Sequence, residues 1–144
     1  MGLFNKFFNN KQNDEKQSNE ALALEEKQDM IKGIEDLSET SVKEVMIPRI
    51  DVDFLPLGTP QEDLLEKIAA SGHSRFPVYS ESIDNVVGVL YVKDLINAFS
   101  KKETIDLEKI IRKPFFVPES KRIDSLLREF KRRHVHIAIA IDEY

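Results

Sequence analysis

Residues 106–144 read DLEKIIRKPFFVPESKRIDSLLREFKRRHVHIAIAIDEY: a short helical run, a proline-marked break, a strand, an amphipathic helix and a second strand. The same order has already occurred between residues 41 and 79. Val42-Lys43-Glu44-Val45-Met46 aligns with Leu107-Glu108-Lys109-Ile110-Ile111, Pro56 with Pro118, and Leu64-Leu65 with Leu126-Leu127. The offset is 65 residues at the first pair and 62 at the other two, so a few residues are lost between the short helix and the strand. A duplication of this kind decides the fold class. The chain is α+β, built from two β-α-β-β-α units of roughly 50–60 residues, each small for independent stability. The two are expected to pack sheet against sheet around one core.

Working outward, Ser41 and Glu44 have capping-box spacing, which starts a short helix that Pro48 ends. Ile50, Val52 and Phe54 alternate with Asp51 and Asp53, the pattern of a half-buried strand. In TPQEDLLEKIAASG (59–72), Thr59 and Glu62 have capping-box spacing, Pro60 suits the first helical position and Gly72 the terminus. Strands follow at residues 76–79 and in VVGVLYV (86–92), then a helix in KDLINAF (93–99). In the second unit the chain reaches Tyr144 before a counterpart of VVGVLYV and KDLINAF, so this unit reads as incomplete and its strand at residues 137–141 as an open edge. The expected core is Ile50, Phe54, Leu64, Leu65, Ile68, Val87, Val89, Ile123, Leu126, Leu127, Phe130, Ile137 and Ile139. Ahead of the units, residues 21–37 have helical periodicity and residues 1–20, rich in Asn, Gln, Lys and Glu, read as a mobile polar tail. Leu3, Phe4, Phe7 and Phe8 would also fit a short amphipathic helix against a membrane or partner.

Composition narrows the function. With 41% hydrophobic and 33% charged residues the chain is that of a globular protein. A net charge of −5 argues against general nucleic-acid binding. Without cysteine there is no disulfide, thiolate metal site or cysteine nucleophile, which fits a cytoplasmic protein. No apolar run approaches the ~20 residues that span a bilayer.

Four sets of side chains could carry chemistry. In GHSRFPVYSE (72–81), Arg75 offers a planar fork suited to phosphate and Ser74 a hydroxyl, with a surface salt bridge as the alternative for Arg75. A nucleophile reading of His73 and Ser74 fails for want of a third residue to orient the histidine. Val45, Met46, Ile47 and Pro48 suit an apolar pocket wall or simple packing. His134 and His136 share a strand face, where metal binding competes with packing; Asp142 and Glu143 are turn or surface residues. Lys121, Arg122, Arg128, Lys131, Arg132 and Arg133 make a basic helix, read as a solvated face or a phosphate- or partner-facing patch.

EVMIPRIDVDFL, SGHSRFPVYSESIDNVVGVLYVKDL and VPESKRIDSLLREFKRRHVHIAIAIDEY, in this order and spacing, resemble the tandem CBS domains (a Bateman module) of the CorC/HlyC family. That family comprises magnesium and cobalt efflux proteins and proteins labelled hemolysin C or TlyC. The resemblance runs from about Glu25 to Tyr144. It implies residues 41–102 as a first CBS domain and 103–144 as a second, incomplete one, after a helical lead-in over 21–40. It further implies a non-catalytic regulatory module that binds an adenine nucleotide (ATP or AMP, with Mg²⁺ through its phosphates) in clefts between the units. Pairing into a homodimer, a membrane ion-transport partner and a place in the cytoplasm or at the inner membrane face are also implied. The family's ribose-binding pattern, G-h-h-[ST]-x-x-D, falls on Gly88 to Asp94, with Tyr91 where a small hydroxyl residue is usual. The candidate nucleotide-binding residues are Val45, Met46, Ile47, Pro48, Ser74, Arg75, Phe76, Pro77, Tyr91, Asp94 and His136. The alternative is a dimerisation or protein-interaction module that binds no nucleotide.

Overall fold

The computed structural model describes residues 2–142, with side chains from residue 15 onward. The order short helix, strand, helix, strand occurs twice. After a long helix α1 (Gly2–Glu39), the first unit comprises α2 (Val42–Val45), β1 (Leu55–Pro56), α3 (Gln61–Ser71), β2 (Arg75–Tyr79), β3 (Val86–Tyr91) and α4 (Val92–Ser100). The second comprises α5 (Leu107–Ile110), β4 (Phe116–Pro118), α6 (Ile123–Arg133) and β5 (Ile139–Ile141). Helices α3 and α6 stand 62 residues apart at both ends and terminate alike. Gly72 caps α3 with φ 72° and His134 caps α6 with φ 55°, both in the left-handed region. Leu64 and Leu126 are both buried, and their neighbours Leu65 and Leu127 are both exposed. The expected burial of Leu65 and Leu127 is thus corrected, because one stripe of each helix meets the sheet and the adjacent position has turned away from it.

In the first sheet β1 pairs parallel with β2, and β2 antiparallel with β3. Arg75 stands opposite Tyr91 and Phe76 opposite Leu90. In the second, β4 pairs parallel with β5. The strand expected over 50–54 does not form. Arg49–Asp51 is a 3-10 turn in which the Asp51 N–H donates to the Pro48 carbonyl (2.9 Å). The backbone thereby satisfies itself locally, and pairing with β2 begins only at Leu55. Leu55 is buried, whereas Ile50 is 91% exposed and is no core residue. Phe54, Ile68, Val87, Phe130, Ile137 and Ile139 are half-buried, and Val89 and Ile123 are buried. At the start of α3, the Thr59 hydroxyl donates back to the Pro56 carbonyl (2.6 Å), so Pro60 takes the N-cap position expected of Thr59. The Ser41 box does form on its Glu44 side: the Ser41 N–H donates to Glu44 Oε2 at 2.7 Å.

Instead of one shared core there are two, each closed by the short helix of the other unit. Leu107 of α5 joins Leu55, Leu64, Phe76, Val78, Leu90 and Leu95, whereas Val42 of α2 joins Val117, Ile123 and Leu126. Backbone pairing fixes both crossings. Val42 N–H donates to the Lys121 carbonyl (2.8 Å) and Ile123 N–H to the Thr40 carbonyl (3.0 Å). On the other side Val89 and Arg112 exchange two N–H···O=C bonds of 2.9 Å each.

Of the segment expected as a tail, residues 2–20 are helical and continuous with the lead-in, as their Lys, Gln and Glu content and lack of proline allow. The side chains of Leu3, Phe4, Phe7 and Phe8 lie outside the described ones, as does Glu143. From residue 15, α1 is exposed, Met30, Ile31 and Ile34 included. Among the described residues, no helix is long and apolar enough to cross a membrane.

Candidate functional site

A polar cluster surrounds Tyr91, the last residue of β3. Tyr91 is buried, at 5% exposure. Three cations approach its ring from three different segments. Arg75, its partner across the β2–β3 ladder, has its guanidinium carbon 5.4 Å from the ring centroid. Lys93, in the first turn of α4, has Nζ at 5.7 Å. Arg112, from the chain after α5, lies closest at 4.2 Å. These separations are those of cation–π contacts, with arginine the cation best suited to stack on a ring.

Arg112 is delivered by the crossing between units. The Val89–Arg112 bridge sets its backbone beside β3, and Gly88 permits the approach. A Cβ at Gly88 would stand 2.6 Å from Ile111 Cδ1 and 3.0 Å from the Arg112 carbonyl oxygen. So held, Arg112 clasps Asp94 with both arms of its fork: Nε to Oδ2 at 2.8 Å and Nη2 to Oδ1 at 2.9 Å. These hydrogen bonds hold the Asp94 carboxyl below its ordinary range against the opposing effect of burial, and the charges of Arg112 and Lys93 add to the lowering. Arg112 is pushed up, first by the same hydrogen bond. The carboxylate that the family pattern would give to a ribose therefore already has a bidentate partner.

The other candidate residues divide between the two units. Phe76 is buried in the first core, and Pro77, its neighbour on β2, is also buried. The Ser74 carbonyl accepts from Val92 N–H at 3.0 Å, which ties the GHSRFPVYSE loop to the start of α4. His73 Nε2 lies 3.0 Å from Asp53 Oδ2 and its ring meets Phe76 edge-on. Val45 and Ile47 are exposed at 58% and 68%, and Pro48 is exposed beside them. Met46 packs on the second core. His136 is exposed between α6 and β5, and His134 serves as the α6 cap. The basic helix is largely paired: Lys121 meets Glu129 (2.8 Å), Arg128 meets Asp124 (3.0 Å), and Arg133 lies over the Phe115 ring (4.4 Å). A groove of about 560 Å³ lined by Val52, Phe54, Leu55, Phe76 and Tyr79 opens elsewhere on the first unit and includes none of Arg75, Tyr91, Asp94 or Arg112.

Arg112 and Lys93 were missed in the sequence. A signal for Arg112 existed: at the 65-residue offset it stands where the first unit has Ile47, a charge in an apolar position.

The family model of the CBS domain matches residues 42–101. Hemolysin C of Brachyspira hyodysenteriae is 37% identical over 145 residues, covering 99% of this chain and 53% of that protein. The magnesium and cobalt efflux protein CorC of Escherichia coli K12 is 40% identical over 124 residues, covering 85% of this chain and 42% of that protein. The chain thus spans about half the length of these curated relatives. Among solved structures, the CBS domain of the bacterial CNNM/CorC family Mg²⁺ transporter in complex with ATP is 40% identical and superposes with a TM-score of 0.76, over 83% of this chain and 85% of that one.

Proposed function

The chain belongs to the CBS-domain family, in the group that includes CorC and hemolysin C, and from that premise we propose that it is a regulatory module that binds an adenine nucleotide. The observation that carries the reading is the relative solved with ATP, whose fold this chain shares over most of both lengths. Within this chain the cationic cluster at Tyr91 fits the phosphate end of such a ligand, since guanidinium and ammonium groups are the side chains that receive phosphate oxygens. Mg²⁺ would accompany ATP on the phosphates, holding most of its waters and needing few protein ligands.

The role is that of a sensor, not an enzyme. Nucleotide binding shifts the balance between arrangements of the two units, and that shift is read by a membrane protein that exports magnesium or cobalt. The module works as a homodimer at the cytoplasmic face of the membrane. A thermal-unfolding series with ATP, AMP and no nucleotide tests the reading. At a nucleotide concentration of about 100 times Kd, stabilisation of about 2.7 kcal/mol raises Tm by several degrees. An unchanged Tm with both nucleotides contradicts it.

A second reading draws on the exposed Met30, Ile31 and Ile34 of α1 and on the pairing of Asp94 with Arg112. It makes the chain a dimerisation or protein-interaction module that binds no nucleotide. Replacing Arg75 and Asp94 by alanine separates the two: it weakens nucleotide binding under the first reading, and leaves self-association and partner binding intact under the second.

A further inference from the structure

We infer that the cluster of Arg75, Lys93 and Arg112 around Tyr91 is an anion site that receives a phosphate group and not a ribose. In the family pattern the carboxylate at position 94 is the sugar-binding group, and here both of its oxygens already accept from Arg112. A ribose would have to compete with a bidentate guanidinium that is also stacked on a buried ring. What the site presents instead is positive charge. Three cationic groups lie within 6 Å of one ring centroid, against the single carboxylate of Asp94, in a chain whose net charge is −5. Such a cluster is self-repelling and is relieved by an anion.

The cations are also not all used. Arg75 Nε is buried and has no acceptor among the described residues, so a desolvated donor faces the cluster unpaired. The positive end of α4, a nine-residue helix, begins at the same place and adds to the field. Both units contribute, because Arg112 belongs to the segment leading into the second, so an anion bound here would bridge the crossing.

The ligand chemistry is a phosphate chain. Its two sources are the tail of a nucleotide, in which case the proposal rests on the function proposed above, and free inorganic polyphosphate. Calorimetric titration of the whole chain with ATP, adenosine and tripolyphosphate distinguishes them. Tripolyphosphate is expected to bind saturably, more weakly as ionic strength rises from about 0.05 to about 0.5 M, while adenosine does not bind. Lys93→Gln, at an exposed position, and Arg75→Gln are each expected to weaken tripolyphosphate ~10- to 100-fold, the loss of one charge-assisted contact. Lys101→Gln is the control and leaves it unchanged. Asp94→Asn is the decisive variant: it removes the competing carboxylate, so tripolyphosphate binds at least as tightly as before, whereas a ribose site would lose ATP. The proposal is overturned if tripolyphosphate gives no saturable heat, if adenosine binds as well as ATP, or if Asp94→Asn abolishes ATP binding while Lys93→Gln leaves it intact. ATP binding without tripolyphosphate binding overturns this site but not the nucleotide function; tripolyphosphate binding without ATP binding does the reverse.

Discussion

Gly88→Ala tests the device that brings the two units together. The added methyl would lie 2.6 and 2.9 Å from Ile111 Cδ1 and Cγ1, and 3.0 Å from the Arg112 carbonyl oxygen. The isoleucine contacts are with a side chain that can rotate. The carbonyl cannot yield as cheaply, because Arg112 is held to Val89 by a pair of 2.9 Å hydrogen bonds. Overpacking of this kind costs typically 1–3 kcal/mol, and strained or broken hydrogen bonds add about 1 kcal/mol each. A loss of about 2 kcal/mol follows as a central value, lowering the urea midpoint by about 1 M for a denaturant slope of about 2 kcal/mol/M. Gly58→Ala is the control, since its Cβ would meet nothing within 4 Å. Equilibrium urea unfolding followed by circular dichroism provides the comparison. If Gly88→Ala unfolds within about 0.5 kcal/mol of the parent, the close approach of the second unit's lead-in to β3 is not the constraint described.

Three further outcomes are expected. Gly72→Ala should cost about 1 kcal/mol in thermal unfolding although its Cβ meets nothing within 4 Å, because φ 72° is strained for any residue with a side chain. Val42→Ala should speed amide hydrogen exchange in β4, α6 and β5 more than in β2 and β3, and Leu107→Ala should do the opposite, because each residue sits in the other unit's core. The Asp94–Arg112 pair contributes fully above the unfolded carboxyl pKa of about 3.9 and loses its contribution as pH falls through the lowered folded value. Asp94→Asn should therefore be less stable than the parent by up to ~1 kcal/mol near neutrality, the range of a partly exposed pair, with the gap closing in strong acid; parallel Tm-against-pH curves measure it.

The duplication was legible because it is written in residue types that act locally. Paired leucines, a proline at each strand end and capping residues each fix a short piece of backbone, so α3 and α6 appear at the expected offset. The lead-in strand was misread because alternation over 50–54 is also compatible with a 3-10 turn that hydrogen-bonds to itself after Pro48. The separate cores were not legible, since nothing local in Val42 or Leu107 records which unit each helix packs against. The site was half legible for the same reason. Arg75, Tyr91 and Asp94 lie within or beside one hairpin and could be picked from a motif. Arg112 is 18 residues from Asp94 in sequence and reaches it only through the register of the Val89 bridge.

The central claim is that this CBS module binds an adenine nucleotide through the phosphate-receiving cluster at Tyr91. Isothermal titration of ATP into the folded chain, beside its Lys93→Gln variant, tests it most directly. Saturable binding that weakens by ~10-fold or more in the variant is the expected result. No saturable heat with ATP, or equal affinity in both proteins, would contradict the claim.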